Sequence, residues 1–369
     1  MEVLSRANEL QKSGLDVIHL EVGEPDFPTP APIVAAAHVA LQQGFTKYTA
    51  AQGIEPLRMA IAQHYLDRYE IEVDHRRIFV TAGGSGALLL ATALTLNPGE
   101  AMMMTDPGYP CNRHFMTSFN GEAQLVPVGP ADHYQLSPKL VEQNWQENTA
   151  GVLLASPANP TGAIIEPEAL AEIAAIVRHK DGFLLVDEIY HGLQYGAASV
   201  TSALEFDAIV VNSFSKYFGM TGWRLGWLVV PESAIESVEK LAQNLFICPT
   251  SISQQAALAA FEPESREIME RQRSAFEARR NLMVEGLRKL GFGVPETPGG
   301  AFYVYAKLPD AISLDSEAFC MQLLEGYGVA ATPGTDFGFF EADRHVRFSY
   351  ANNVQALEKA LARIEQSLL

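Results

Sequence analysis

Cysteine is scarce in this chain of 369 residues: there are three. Cys111, Cys248 and Cys320 are far apart and odd in number, which excludes a disulfide framework and offers no metal-knuckle spacing. Basic residues are also few, 26 Lys and Arg against 44 Asp and Glu, for a formal charge of −18. A nucleic acid or an anionic membrane surface would repel such a chain, so neither is expected as a partner. Small anionic ligands remain possible, because they respond to local charge. No apolar run approaches the ~18 residues of a membrane span. The first residues, Met1-Glu2-Val3-Leu4-Ser5-Arg6, lack the apolar core of a signal peptide. A cytoplasmic protein is therefore expected. Internal repeats and low-complexity segments are missing too, and with 48% apolar residues the chain has enough material for one large domain and a smaller one.

What is present is an alternation of short apolar runs with amphipathic stretches. Strands are expected at 17–22, 78–81, 102–104, 152–154, 183–186 and 208–211, and helices at 1–13, 31–43, 55–69, 87–96 and 167–178. This order predicts an α/β domain with a mostly parallel central sheet sandwiched by helices. A long charged helix at 265–290 suits a link between domains. Strands at 301–305 and 344–349 and helices at 317–327 and 354–369 then predict a smaller α+β domain. The expected division is 31–264 for the large domain, 1–30 with 291–369 for the small one, and 265–290 for the linking helix.

In parallel sheets, ligands bind beyond the carboxyl ends of the strands. Several chemistry-bearing residues fall there: Gly83-Gly84-Ser85-Gly86, Tyr109, Asn159, Asp187, Tyr190 and Lys216. A loop with free backbone N–H groups opening a helix can cradle a phosphate. The 82–86 stretch has that arrangement but matches neither Gly-x-Gly-x-x-Gly nor the P-loop. Lys216 stands where an apolar run ends, and Arg224 follows eight residues later as a charge suited to phosphate. A reactive amine beside a phosphate clamp suggests a phosphorylated carbonyl cofactor; a surface lysine in a loop is the plain alternative.

Taken in order, Gly23-Glu24-Pro25-Asp26-Phe27, Asn159-Pro160-x-Gly162, Asp187-Glu188-x-Tyr190, Ser213-x-Ser215-Lys216, Gly222-x-Arg224-x-Gly226 and Arg347 resemble the class I/II aminotransferases, pyridoxal-phosphate enzymes of fold type I. The resemblance covers essentially the whole chain. It implies Lys216 as the Schiff-base lysine and proton shuttle, with Asp187 paired to the pyridine nitrogen. Tyr190 and Asn159 are implied at the ring oxygen and Tyr109 on the ring face. Gly84, Ser85, Ser213 and Arg224 are implied at the phosphate, and Gly23, Asn159 and Arg347 at the substrate carboxylate. It further implies a homodimer in which Tyr48 reaches the neighbouring subunit's phosphate, and no metal. The reaction expected is ping-pong amino transfer from an amino acid to a 2-oxo acid, usually 2-oxoglutarate in the family. The same motifs fit a β-lyase on this fold. A regulatory ligand-binding relative would need a DNA-binding module, for which the chain has neither length nor basic charge. Positive charges in the glycine loop or near 244–264 help some relatives bind acidic side chains. None occurs here, so neutral or apolar amino donors are expected.

Overall fold

The computed structural model describes residues 2–196 and 200–369. Its strands, in chain order, are β1 (Ile18–His19), β2 (Ile78–Thr81), β3 (Ala101–Asp106), β4 (Glu122–Pro127), β5 (Thr149–Ala155) and β6 (Phe183–Asp187). They continue with β7 (Ile209–Ser213), β8 (Gly226–Val229), β9 (Tyr303–Lys307), β10 (Val329–Ala330), β11 (Thr332–Pro333) and β12 (His345–Ser349). Seven of them form one sheet in the order β2-β8-β7-β6-β5-β3-β4. Only β8 runs against its neighbours, so β2 points the same way as β7, β6, β5, β3 and β4.

Period-two geometry explains why these strands read as unbroken apolar runs. Successive side chains point to opposite faces, and here both faces are covered. Val152, Leu154, Leu184, Val186 and Val210 join one core, with Leu57, Ile61 and Tyr65 of the helix Glu55–Tyr69 and Leu170, Ile173 and Val177 of the helix Pro167–His179. Leu153, Leu185, Ile209, Val211, Met102 and Met104 join the other, against Ala87, Leu88 and Ala91 of the helix Gly83–Thr95 and Val238 and Ala242 of the helix Ile235–Phe246. Each fully buried aliphatic side chain of this kind contributes about 1.5–3 kcal/mol, so the two layers hold the sheet edge that carries the chemistry.

The smaller sheet has the order β11-β12-β9, all antiparallel, and β1 pairs in parallel with β10. The chain after β1 is stitched to this sheet: Ser349 N–H donates to Leu20 O at 2.7 Å. The long helix runs Pro263–Lys289, with proline in its first turn and Arg288 and Lys289 in its last, as the helix dipole favours. Its Arg279 pairs with Asp26 at 2.6 Å and lies over the ring of Phe27, which ties the proline-rich 25–30 segment down.

Some expectations need correction. The strand expected at 17–22 keeps ladder pairing only at Ile18–His19. The glycine stretch expected to be a loop before a helix at 87 is already helical from Gly83. β4, β8 and the helices Pro110–Ser118, Pro138–Asn144, Ile235–Phe246 and Ser251–Leu258 had no counterpart in the sequence reading. β4 is exposed or half-exposed over most of its length and lies at the sheet edge, so it lacks the apolar run that marks β5 or β6.

Candidate active site

The parallel sheet delivers its functional residues to one edge. β2 leads into the helix carrying Gly84 and Ser85, and β3 ends three residues before Tyr109. β5 leads to Asn159, β6 ends on Asp187 with Tyr190 in the following turn, and β7 leads to Ser215 and Lys216. Thr221 and Arg224 stand on the return to β8. Tyr303 of β9, Arg347 of β12 and Gly23 close the opposite side. Together these residues line one cavity of about 300 Å³. A second cavity of about 360 Å³, between residues 132–137, 161–169 and 294–299, is lined by none of the residues of the first.

Lys216 is enclosed, and its Nζ donates to Gly23 O at 2.6 Å. Burial, and then the positive charge of Arg347, bring its amine down to about 8, against the opposing pull of Glu24. The turn that presents it is tightly bonded: Ser215 N–H donates to Ser213 Oγ at 3.0 Å and Thr221 Oγ1 to Ser215 O at 3.0 Å. Gly23 is where backbone must come close, since a Cβ there would lie 2.6 Å from the Tyr303 hydroxyl.

Asp187 is buried, and burial raises its carboxyl to about 6 although Ile189 N–H donates to Oδ1 at 3.0 Å and Lys216 also favours the charge. The next residue, Glu188, faces away from the cavity. Its carboxylate accepts from Ser202 Oγ and from Ala203 N–H at 2.7 Å, which fixes the turn carrying Tyr190. Tyr190 and Tyr303 share a hydrogen bond of 2.9 Å between their hydroxyls, and burial pushes both phenols up.

Arg347 is buried among acceptors. Nη1 donates to Asn159 Oδ1 at 2.9 Å, and Nη2 donates to Glu21 O at 2.6 Å and Thr332 Oγ1 at 3.3 Å. The guanidinium is flanked by the rings of Tyr303, at 4.3 Å, and Phe337, at 4.7 Å. Its Nε–H has no partner among the described residues.

Of the residues singled out in the sequence, Gly23, Gly84, Ser85, Tyr109, Asn159, Asp187, Tyr190, Lys216, Arg224 and Arg347 meet in this cavity. Two do not. Ser213 is not on the wall but behind it, its Oγ bonded to Ser215 Oγ at 2.9 Å and Leu225 O at 3.2 Å. Tyr48 is 81% exposed and away from the cavity of its own chain. The sequence reading missed Tyr303, Thr221 and Phe337. Tyr303 lies in an alternating strand, diagonally across from Arg347, because Arg347 is paired with Tyr305. That register has no signature in the sequence. Among the described residues no helix is long and apolar enough to cross a membrane, and no group of three or more His, Cys, Asp or Glu could hold a metal ion.

Comparison with known proteins agrees with this geometry. Residues 15–364 match the family model for aminotransferase class I and II. The chain is 41% identical to a valine–pyruvate aminotransferase of Mycobacterium tuberculosis, over 99% of this chain and 94% of that one. It is 36% identical to an aspartate aminotransferase of Thermotoga maritima, over 100% and 96% respectively. Among solved structures, an aminotransferase from Mycobacterium tuberculosis superposes with a TM-score of 0.97 at 40% identity, covering 100% of this chain and 95% of that one. The Thermus thermophilus aspartate aminotransferase with maleate gives 0.94 at 34% identity, covering 99% and 95%. The chain therefore belongs to the class I and II aminotransferases and is a pyridoxal-phosphate-dependent transaminase of fold type I.

Proposed function

We propose that the cavity at the strand ends moves an amino group from an amino acid to a 2-oxo acid, with Lys216, Asp187 and Arg347 in the three decisive roles. The observation that carries this reading is their meeting in one cavity of about 300 Å³ from strands 6, 7 and 12. The residues suit pyridoxal phosphate. The helix Gly83–Thr95 has no side-chain cap on its first turn, so the N–H groups around Gly84 and Ser85 suit a phosphate, and Arg224 adds a guanidinium beside them. Ser213 supports that end through Ser215. Asp187, whose carboxyl burial lifts to about 6, suits a cationic ring nitrogen, which would draw it back to the charged form. The unpartnered Nε–H of Arg347 suits a carboxylate oxygen.

When bound, the cofactor supplies an electron sink for the pair left when a substrate α-carbon loses its proton. The chain does the rest. Lys216 presents an amine that burial brings down to about 8, so that a usable share is unprotonated near neutral pH and it can attach the cofactor and carry a proton to and from the α-carbon. Asn159 keeps its Oδ1 on Arg347 and has its NH₂ left for the cofactor's ring oxygen, alongside the Tyr190 hydroxyl. Tyr109, which lines the same cavity, would pack on the ring. Arg347 and the backbone at Gly23 hold the substrate's α-carboxylate, and the Tyr303 and Phe337 rings keep water from the guanidinium.

The donor in this reading has a neutral or apolar side chain, such as alanine, methionine or an aromatic residue, supported by the lack of Lys and Arg at 82–86 and 244–264. The acceptor is 2-oxoglutarate. Activity of the relatives on valine with pyruvate and on aspartate, as their names state, brackets the choice. We place the enzyme in the cytoplasm as a homodimer, with Tyr48 completing the partner's phosphate site. Exposed Val39, Leu41, Phe45 and Met59 on the same part of the chain support a covered face there. Residues 31–264 and the pair 1–30 with 291–369 are read as two units joined by the long helix. A panel of amino donors assayed with 2-oxoglutarate tests the reading. Amino transfer is expected to favour neutral or apolar donors, and a clear preference for aspartate would overturn the donor assignment.

A further inference from the structure

The slot of Arg347 owes one wall to a loop that is anchored in the other sheet. Tyr303 belongs to β9, the strand paired with β12, but Phe337 lies beyond the turn Gly334–Asp336 and outside every strand. Beside the contacts of Arg113 with Asp336 O and the Phe339 ring, the side chain that takes the loop's backbone N–H groups is the carboxylate of Asp106 at the end of β3. Phe339 N–H donates to Asp106 Oδ1 at 2.9 Å and Oδ2 at 3.1 Å, and Phe340 N–H donates to Oδ2 at 3.2 Å. Gly108 N–H donates to Phe337 O at 3.0 Å. Asp106 is only 4% exposed, so these charge-assisted bonds are shielded from water. Gly338 makes the approach possible: a Cβ there would lie 1.7 Å from Asp106 Oδ1.

Tyr109 follows three residues after Asp106 on the same connection. One carboxylate thus joins the stretch that lines the cofactor side of the cavity to the loop that walls the Arg347 slot. We infer that Asp106 is a positioning residue for substrate carboxylate binding, acting through the 337–340 loop and Phe337 on the Arg347 guanidinium. The inference rests on the reading that Arg347 takes the α-carboxylate. Asp106 does not line the cavity and takes no part in the proton transfers. Loosening its grip frees the loop, widens the slot and weakens carboxylate capture, while the amine of Lys216 and its surroundings stay as they are.

The test is steady-state kinetics of the holoenzyme and its variants with one amino donor. Asp106→Ala is expected to raise KM about tenfold, about 1.4 kcal/mol of lost anchoring, with kcat within about twofold of the parent. Asp106→Asn keeps one acceptor oxygen, so its KM falls between the two. Gly338→Ala drives the loop off the same carboxylate and raises KM similarly. In the Asp106→Ala/Gly338→Ala double variant the second change adds little, because the methyl no longer meets a carboxylate. Arg347→Ala is measured alongside. If it raises KM and Asp106→Ala does not, the inference fails alone. If Arg347→Ala leaves KM unchanged, the parent reading fails and the inference with it. Effects of the two loop variants that multiply, or a loss confined to kcat, would also overturn it. Should Asp106→Ala not fold, Gly338→Ala decides: a raised KM supports the inference and an unchanged one refutes it.

Discussion

The two walls of the cavity are built in different ways. The inner wall, with Asp187, Tyr190, Ser215 and Lys216, comes from the ends of neighbouring parallel strands. The outer wall gathers Gly23, Tyr303 and Arg347 from three segments, with Phe337 from a fourth against the guanidinium, and the bond from Arg347 to Glu21 O spans 326 positions of sequence. Direction of the sheet alone brings the inner residues together, so each needs only a correct strand end. The outer wall depends on an antiparallel register, on a threaded amino-terminal segment and on the Asp106 anchor. The inner wall is thus the rigid half, suited to chemistry that tolerates little misplacement. The outer wall is the half whose contacts can adjust to a substrate.

That contrast can be broken by substitution. Removing Arg347 should act on binding far more than on chemistry. Arg347→Ala is expected to raise the KM of the amino donor about a hundredfold, since charged hydrogen bonds of this kind contribute about 1.5–3 kcal/mol and tenfold corresponds to about 1.4. Steady-state kinetics check this, and a fall in kcat of the same size with KM unaltered would place Arg347 among the chemical groups. A smaller effect sharpens the comparison from the inner side. In the cofactor-free enzyme the Lys216 amine is brought down to about 8, chiefly by burial and secondly by Arg347. The neutral amine is the reactive form. Its rate with a small acylating reagent should therefore rise about tenfold per pH unit below 8 and level off above it, as for any base titrating there. In Arg347→Ala the midpoint should move upward, because a repelling positive charge is gone. A rate still climbing at pH 10 in the parent enzyme would show that the lysine is not buried as described.

The same contrast governs what could be read from the sequence. Asp187, Lys216 and Asn159 were legible because each follows an apolar run, and a parallel sheet must carry such ends to one edge. Arg347 was legible only through family resemblance. Nothing in its strand shows that Thr332 and Tyr305 flank it in register or that Phe337 stacks on it. Asp106 was passed over because its role lies in accepting two backbone N–H groups from residues more than 230 positions away. The glycine stretch was placed correctly but read as a loop, since glycine is a poor helix former. In the fold it begins the helix Gly83–Thr95, and a Cβ at Gly83 would lie 2.4 Å from the Arg224 guanidinium. Ser213 was read as a phosphate contact from its place in the motif. In the fold its hydroxyl bonds Ser215 and Leu225, a local arrangement that composition does not reveal.

The account stands or falls on Lys216. Reducing the cofactor-loaded enzyme with borohydride and mapping the modified peptide by mass spectrometry is the most direct measurement. The account predicts that the reduced cofactor is fixed to the peptide containing Lys216 and to no other lysine. Attachment at a different lysine, or none at all on an active preparation, would contradict it.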